Sequence, residues 1–438
     1  DKAEAVTRQA NILLVHTSSA GTTVTPKTTP DNNDLTKQVV SAEIPGSWSH
    51  ATTYQIGDKV PFRIIAPIPG SFATDNTTTG NGFEMNFVDK PSAGLLMSTN
   101  KDQYALNVYR LKTATDTDKT TALTYNGKEY YAVDKPTGTS EWPFTFTTMV
   151  EPTAQGGGEF HFDITNMKAE SSAYLDCELG DLIVIEYEAE FVGVRNADGT
   201  LNKEYSNNVS LKYTGHDDEI TDKDNLYTFE LDINKTDGAS KQKLPGAKFS
   251  LYMETTADDE DLESDLKHPV TGEALTGNWK LVKTIDGKGD GDELGESTFK
   301  FDNLKAGNYM LIEDEAPAKD PDGNNAKYNK IPPKYYVIEA TYTAEAKQGA
   351  QVLQSVRLYE TGSDFNTAGL EPISTTSSGD SSLAAGSVVD NTVENNQGTL
   401  LPETGGIGTT IFYIVGGVLV VGAVVLLITK RRAGADEE

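Results

Sequence analysis

Cysteine occurs once, at Cys177, so no internal disulfide framework and no four-cysteine zinc site can form. Histidine is nearly as scarce. His16, His50, His161, His216 and His268 form no i,i+4 pair and no HExxH, and no GxSxG elbow is present, which leaves neither a zinc centre nor a hydrolase nucleophile. The run from Asp286 to Asp292 has Lys288 and Ser297 where a calcium loop needs acidic ligands, so a Gly/Asp turn is expected there. The chain therefore reads as a non-enzyme without metal or cofactor. Positive charge is lacking as well: 37 basic against 66 acidic residues give a net charge of −29 over 438 residues. A nucleic-acid partner is excluded on that ground, because a phosphate backbone requires a basic face.

What is present is short alternating runs of Val, Ile, Leu, Phe and Tyr between Gly, Pro, Asn and Asp turns, with little helical period before residue 407. This predicts an all-β fold of thin two-sheet layers. Five regions are expected. Residues 1–34 form an N-terminal remnant and Pro/Thr-rich linker, 35–213 a first β domain, 214–226 (TGHDDEITDKDNL) an acidic connector, and 227–400 a second β domain. The acidic run Asp258–Asp265 and the Ser/Thr/Gly stretch 374–387 inside the second domain read as solvated loops. Residues 401–438 begin with Leu401, Pro402, Glu403, Thr404 and Gly405, continue through 23 uncharged residues (407–429), and reach Lys430, Arg431 and Arg432. At 1.5 Å per residue that run spans a hydrocarbon core of about 30 Å as a transmembrane helix, with the basic cluster on the cytoplasmic side. The opening residues DKAEAVT lack the order of a secretory signal.

Polar residues recur at positions that the strand period turns inward. In Tyr227–Lys235, the period of two puts Tyr227, Phe229, Leu231, Ile233 and Lys235 on one face. Tyr309, Leu311 and Glu313 share a face, as do Val389, Asn391, Val393 and Asn395. The first domain repeats the scheme: Leu35, Lys37 and Val39; Phe83, Met85, Phe87 and Asp89; Asn207, Val209, Leu211 and Tyr213. An unpaired ammonium in a core costs several kcal/mol, so each lysine must snorkel, pair or lose its charge.

LPETG followed by an apolar span and a basic tail resembles the cell-wall sorting signal of Gram-positive surface proteins. That resemblance implies that a sortase cuts between Thr404 and Gly405, holds Thr404 as a thioester and passes it to an amine. Lys235, Leu244-Pro-Gly246-Ala247, Tyr309-x-Leu311-x-Glu313-x-x-Ala316-Pro317 and Asn395 resemble the collagen-adhesin B-type domain of Gram-positive pilins. The implied chemistry is an intramolecular isopeptide bond from Lys235 to Asn395, with Glu313 as catalytic acid. Gly57-Asp-Lys-Val60-Pro-Phe62, Phe87-Val-Asp89 with Gly94-Leu95, and Asn207-Asn-Val209-Ser-Leu211-Lys-Tyr213 resemble the fimbrial isopeptide-forming domain, implying a Lys37–Asn207 bond assisted by Asp89. Asn208 competes with Asn207, Asn391 with Asn395, and Asp58 or Glu84 with Asp89.

Both domains are then expected to be immunoglobulin-like β-sandwiches in tandem, each stapled from first strand to last by a bond that replaces the missing disulfides. Val24-Thr-Pro26-Lys27 resembles the end of the pilin motif, with Thr25 where that motif has Tyr; this implies Lys27 as the amine that accepts a neighbouring subunit's Thr404. The shaft pilins also carry an N-terminal domain, of which residues 1–20 would be a remnant. The resemblance thus implies a shaft pilin with sortases, identical and minor pilin subunits and peptidoglycan as partners. Its competitor is a monomeric wall-anchored adhesin for a host-surface ligand.

Overall fold

The computed structural model describes residues 35–44, 46–70, 72, 83–135, 144–165, 167, 177–290, 293–343, 351–377 and 388–398. Apart from a 3-10 turn at Lys101–Gln103, the named elements among them are β-strands. In chain order these begin with β1 (Thr36–Val40), β2 (Trp48–Ser49), β3 (Ala51–Thr53), β4 (Lys59–Pro67), β5 (Met85–Pro91), β6 (Leu95–Met97), β7 (Ala105–Leu111), β8 (Leu123–Tyr125) and β9 (Lys128–Ala132). There follow β10 (Thr145–Val150), β11 (Glu159–Ile164), β12 (Leu182–Phe191), β13 (Glu204–Tyr213) and β14 (His216–Tyr227). One sheet has the order β2-β1-β4-β12-β7-β9-β8 with β6 also on β12, and the facing sheet the order β10-β11-β5-β13-β14-β3. Alternate residues of each sheet meet between them: Phe62 and Ile64 of β4 and Ile183 and Ile185 of β12 pack in one core with Phe87 of β5 and Val209 and Leu211 of β13.

The second domain comprises β15 (Phe229–Asp237), β16 (Lys248–Glu254), β17 (Trp279–Asp286), β18 (Thr298–Leu304), β19 (Gly307–Glu315), β20 (Lys334–Tyr342), β21 (Leu353–Thr361), β22 (Ser374–Ser377) and β23 (Val388–Asn395). A three-stranded sheet, β18-β15-β23, covers a six-stranded one, β17-β16-β19-β20-β21-β22. Phe229, Leu231, Ile233, Phe249, Leu311, Tyr336 and Val393 fill the space between them. The pairing of β15 with β23 is parallel, so the domain's first and last strands lie side by side and run the same way.

Two stretches depart from the expected loops. The acidic connector is β14, antiparallel to β13 along its length and parallel to β3. Its period of two is hidden from a composition reading because carboxylates occupy inward positions: Ile220, Asp222, Asp224 and Leu226 are all buried, while Thr221 and Lys223 are exposed. Only Thr228 separates β14 from β15, and its hydroxyl donates to the Leu304 carbonyl at 3.0 Å. Residues 374–377, expected as loop, form β22 on the edge of β21. Contacts between the domains include Lys305 Nζ to Asp58 Oδ2 at 2.9 Å, Arg195 Nη1 to Asp302 Oδ2 at 2.7 Å, and the Tyr342 hydroxyl donating to Glu43 Oε1 at 2.7 Å, and Ala51 of β3 and Tyr227 of β14 pack into the second domain's core. Among the described residues no helix is long and apolar enough to cross a membrane; the expected span at 407–429 lies outside them.

Candidate functional site

In the second domain β15 carries Lys235 on the same buried face as Leu231 and Ile233. β23 brings Asn395 in beside it. The ladder pairs Lys235 with Val393 and Asp237 with Asn395, which makes Lys235 and Asn395 diagonal neighbours on one face, within reach of long side chains. Glu313 comes from β19 on the facing sheet, at the end of the apolar run that the sequence put inward. Lys235 and Glu313 are fully buried and Asn395 is 1% exposed.

Within this cluster the Lys235 ammonium donates to Asn395 Oδ1 and stands 3.5 Å from Glu313 Oε1 and 5.5 Å from the centre of the Phe249 ring. Asn395 Nδ2 donates to Glu313 Oε2 at 3.0 Å and to the Asn329 carbonyl at 2.8 Å, and Ile331 N–H donates to the same Glu313 oxygen at 2.9 Å. The carboxyl therefore holds the amide nitrogen while the lysine faces the amide oxygen. Burial lowers the Lys235 pKa to about 8, against the opposing pull of Glu313, so about one amine in ten is uncharged and nucleophilic at pH 7. Gly238 takes its backbone N–H to the Asn395 carbonyl at 2.8 Å, and a Cβ there would lie 2.1 Å from Asn396 Oδ1. A side chain at this position would have to displace the Asn396 side chain.

The first domain assembles a lysine, a carboxyl and an asparagine from different strands, with aspartate in place of glutamate. Lys37 is on β1, Asp89 on β5 and Asn207 on β13, and all three are fully buried. Asp89 and Asn207 are again diagonal neighbours, since the ladder pairs Asp89 with Val209 and Pro91 with Asn207. Lys37 Nζ donates to Asp89 Oδ1 and to the Tyr187 hydroxyl, both at 2.5 Å. It also lies 5.3 and 5.2 Å from the ring centres of Phe62 and Tyr187. Tyr187 in turn donates to Asp89 Oδ2 at 2.5 Å and accepts from Asn207 Nδ2 at 3.2 Å.

The competing residues stand elsewhere. Asn208 is exposed on the outer side of β13, and Asp58 is tied to Lys305. Glu84 is half-buried ahead of β5, and Asn391 donates to the Tyr336 hydroxyl and to Glu360 Oε2 at 2.9 and 3.0 Å. Lys27 and Leu401, Pro402, Glu403, Thr404 and Gly405 lie outside the described residues.

Sequence reasoning missed three participants. Tyr187 stands in the inward row Ile183, Ile185, Tyr187, Ala189 of β12, where a tyrosine looks like any other core aromatic. The Asn329 carbonyl and the Ile331 N–H belong to a loop with no pattern of its own. The third is an acidic group beneath Lys37: its backbone N–H donates to Asp222 Oδ2 at 2.7 Å, and His50 Nδ1 lies 3.8 Å from that oxygen and 3.3 Å from Asp224 Oδ1. Burial raises the Asp224 pKa from 3.8 to about 6, opposed by His50 and Lys37 and reinforced by Asp222.

A raised carboxyl favours the fold when protonated, so its stabilisation is complete below about pH 4 and is lost as pH rises through 6. The span corresponds to about 3 kcal/mol. Asp224→Asn should therefore match wild type in unfolding free energy near pH 4 and exceed it by about that amount above pH 7. A difference between the two proteins that stays constant across this range would refute the assignment.

Two family models match the chain: the SpaA prealbumin-like fold domain over residues 229–328 and the LPXTG cell wall anchor motif over 393–433. The first match runs from β15 past Glu313, and the second contains the LPETG stretch, the apolar span and the basic residues. Similar solved structures include the backbone protein of pilus 2b from group B streptococcus, at 17% identity and a TM-score of 0.40, covering 80% of this chain and 97% of that one. Domains D2 and D3 of the major pilin SpaD from Corynebacterium diphtheriae align at 16% identity and a TM-score of 0.34, covering 83% and 98%. The major pilin subunit BcpA of Bacillus cereus aligns at 13% identity and 0.33, covering 83% and 70%. No curated protein matches. With an all-β body, a prealbumin-like SpaA domain at 229–328 and an LPXTG anchor at 393–433, the chain is a cell-wall-anchored surface protein of the Gram-positive type.

Proposed function

We propose that this chain is the shaft subunit of a sortase-assembled pilus, a structural protein in which each domain seals itself with a lysine–asparagine isopeptide bond. The observation that carries this reading is the double occurrence of a buried lysine, carboxyl and asparagine, in direct contact in the second domain and joined through the Tyr187 hydroxyl in the first, upstream of an LPXTG anchor. In the second domain burial leaves the Lys235 amine able to shed its proton, and the fold holds the Asn395 amide against it. Nζ attacks Cγ, the neighbouring carboxyl takes up and returns protons, the C–Nδ2 bond breaks and ammonia leaves. Proximity supplies most of the rate, because the reactants are already ordered by the two sheets.

Polymerisation needs a second amine, and that one must be exposed. Sortase would cleave after Thr404 and transfer the acyl group to Lys27 of the next subunit, and the last transfer would be to peptidoglycan. Incubated with its cognate sortase, the wild-type chain should give a covalent ladder on a denaturing gel, whereas Lys27→Ala should give monomer alone. A ladder that survives Lys27→Ala would reject this lysine, and no ladder from wild type would favour the monomeric adhesin.

A further inference from the structure

The two clusters differ in one chemically consequential way. In the second domain the carboxyl reaches the amide directly, Asn395 Nδ2 to Glu313 Oε2 at 3.0 Å. The first domain uses aspartate, one methylene shorter, and among the described contacts Asp89 makes no hydrogen bond with Asn207. The Tyr187 hydroxyl fills that gap, with Asp89 Oδ2 at 2.5 Å on one side, Asn207 Nδ2 at 3.2 Å on the other, and Lys37 Nζ at 2.5 Å.

We propose that Tyr187 is a catalytic residue of the first domain, relaying a proton from the Asp89 carboxyl to the departing amide nitrogen of Asn207. This rests on the cross-linking reading above and adds a participant to it. Lys37 first gives a proton to the Tyr187 oxygen as Tyr187 passes its own to Asp89 Oδ2, which leaves an uncharged amine and a carboxyl protonated at Oδ2. Nζ then forms a bond to Cγ of Asn207 while the carbonyl π pair moves onto Oδ1. Tyr187 hands its proton to Nδ2 and takes the one held at Asp89 Oδ2. As the carbonyl reforms, the C–Nδ2 bond breaks, ammonia departs, and Asp89 accepts a second proton from Nζ. Of the three ammonium protons, one remains on the new amide, one has left with ammonia and one is on Asp89.

The surroundings suit a relay that never rests as phenolate. Burial, followed by the Asp89 charge, raises the Tyr187 pKa well above its ordinary value, so the hydroxyl keeps a proton to give. Its ring stacks on Phe62 at 5.6 Å between centres, and that packing holds the hydroxyl in position and is retained by phenylalanine.

The test is the rate of ammonia loss from the newly made full chain, synthesised in a cell-free system and followed by intact mass with peptide mapping. Wild type should lose about 17 Da at each site. Tyr187→Phe should slow loss at Asn207 about 100-fold or more, the scale of general acid–base catalysis, while loss at Asn395 in the same molecules is unchanged. Adding Asp89→Glu to Tyr187→Phe lengthens the carboxyl to the reach of Glu313 and should recover most of the rate. Fluorinated tyrosine, which lowers the phenol pKa without disturbing the fold, should displace the pH profile at Asn207 alone. An unchanged rate in Tyr187→Phe, or a pH profile indifferent to fluorination, overturns the relay. Wild type that loses no mass at Asn207 instead overturns the cross-link itself.

Discussion

Glu313→Gln should leave a folded second domain that is about 17 Da heavier at this site than the cross-linked protein and unfolds some 10–20 °C lower. Glutamine preserves volume and still offers an oxygen to the Ile331 N–H, which now bonds Glu313 Oε2 at 2.9 Å, and Lys235, whose pKa burial already lowers to about 8, avoids an uncompensated charge by resting as the neutral amine. What it cannot do is take a proton from Lys235 and return it to the amide nitrogen. The bond would close a loop of 160 residues, for which the chain-entropy estimate used for disulfides gives about 5 kcal/mol. For a domain of this size that is the stated range in melting temperature. Intact mass and calorimetry on one sample decide the matter: a variant that still lacks the 17 Da shows that Glu313 is dispensable, and one that has regained it without losing stability shows that the loop-closure argument is wrong.

Pulled from end to end, the chain with both bonds should lengthen by at most roughly 100 Å, and Asn207→Ala should add on the order of 550 Å. The load path makes the asymmetry. With the proposed bonds in place, tension entering at β1 would cross from Lys37 to Asn207, and tension leaving through β15 would cross from Lys235 to Asn395, so the residues between each pair would be shielded. Residues 208–234 would not be. They include the second half of β13, all of β14 and the start of β15, which follow Asn207 because the first domain's sheet adds β14 after β13. The expectation of a staple from first strand to last therefore holds as a geometry for β15 and β23 and fails for β1 and β13.

Asn207→Ala is the informative variant because it removes the electrophile while leaving the fully buried Lys37–Asp89 ion pair intact. Removing one partner of that pair would instead cost about 3–5 kcal/mol through an uncompensated charge. In single-molecule force extension, a long unfolding step from the wild-type first domain would reject the Lys37–Asn207 bond. A wild-type contour gain far above 100 Å would reject the shielding argument for both domains.

Much of the candidate chemistry was legible in the sequence because a strand reports sidedness every second residue. The parity of Lys37, Asp89 and Asn207 with their apolar neighbours placed each on a buried face; Asn208 stayed in competition with Asn207 until the structure showed it exposed on the outer side of β13. Parity could not separate Asn391 from Asn395, which share a face. The ladder alone does not choose either, since both flank Val393, the residue opposite Lys235; the choice required the facing sheet, where Asn395 meets Lys235 and Glu313 while Asn391 bonds Tyr336 and Glu360.

Composition misled at β14, where Asp222 and Asp224 occupy inward positions that an acidic connector would have left in water. They are tolerable there only because His50 and the Lys37 backbone come from other strands to meet them. Tyr187 was invisible for a related reason: its inward position is ordinary for an aromatic, and its hydroxyl acquires meaning only when β5 and β13 of the facing sheet bring a carboxyl and an amide to it. Outside β14 the sequence by itself thus determined which side chains face inward, and it determined that the chain carries a wall anchor, since both follow from local period and local order. Which of those inward groups touch was decided by the tertiary structure, because sheet register and the stacking of two sheets are set by contacts far apart in the chain.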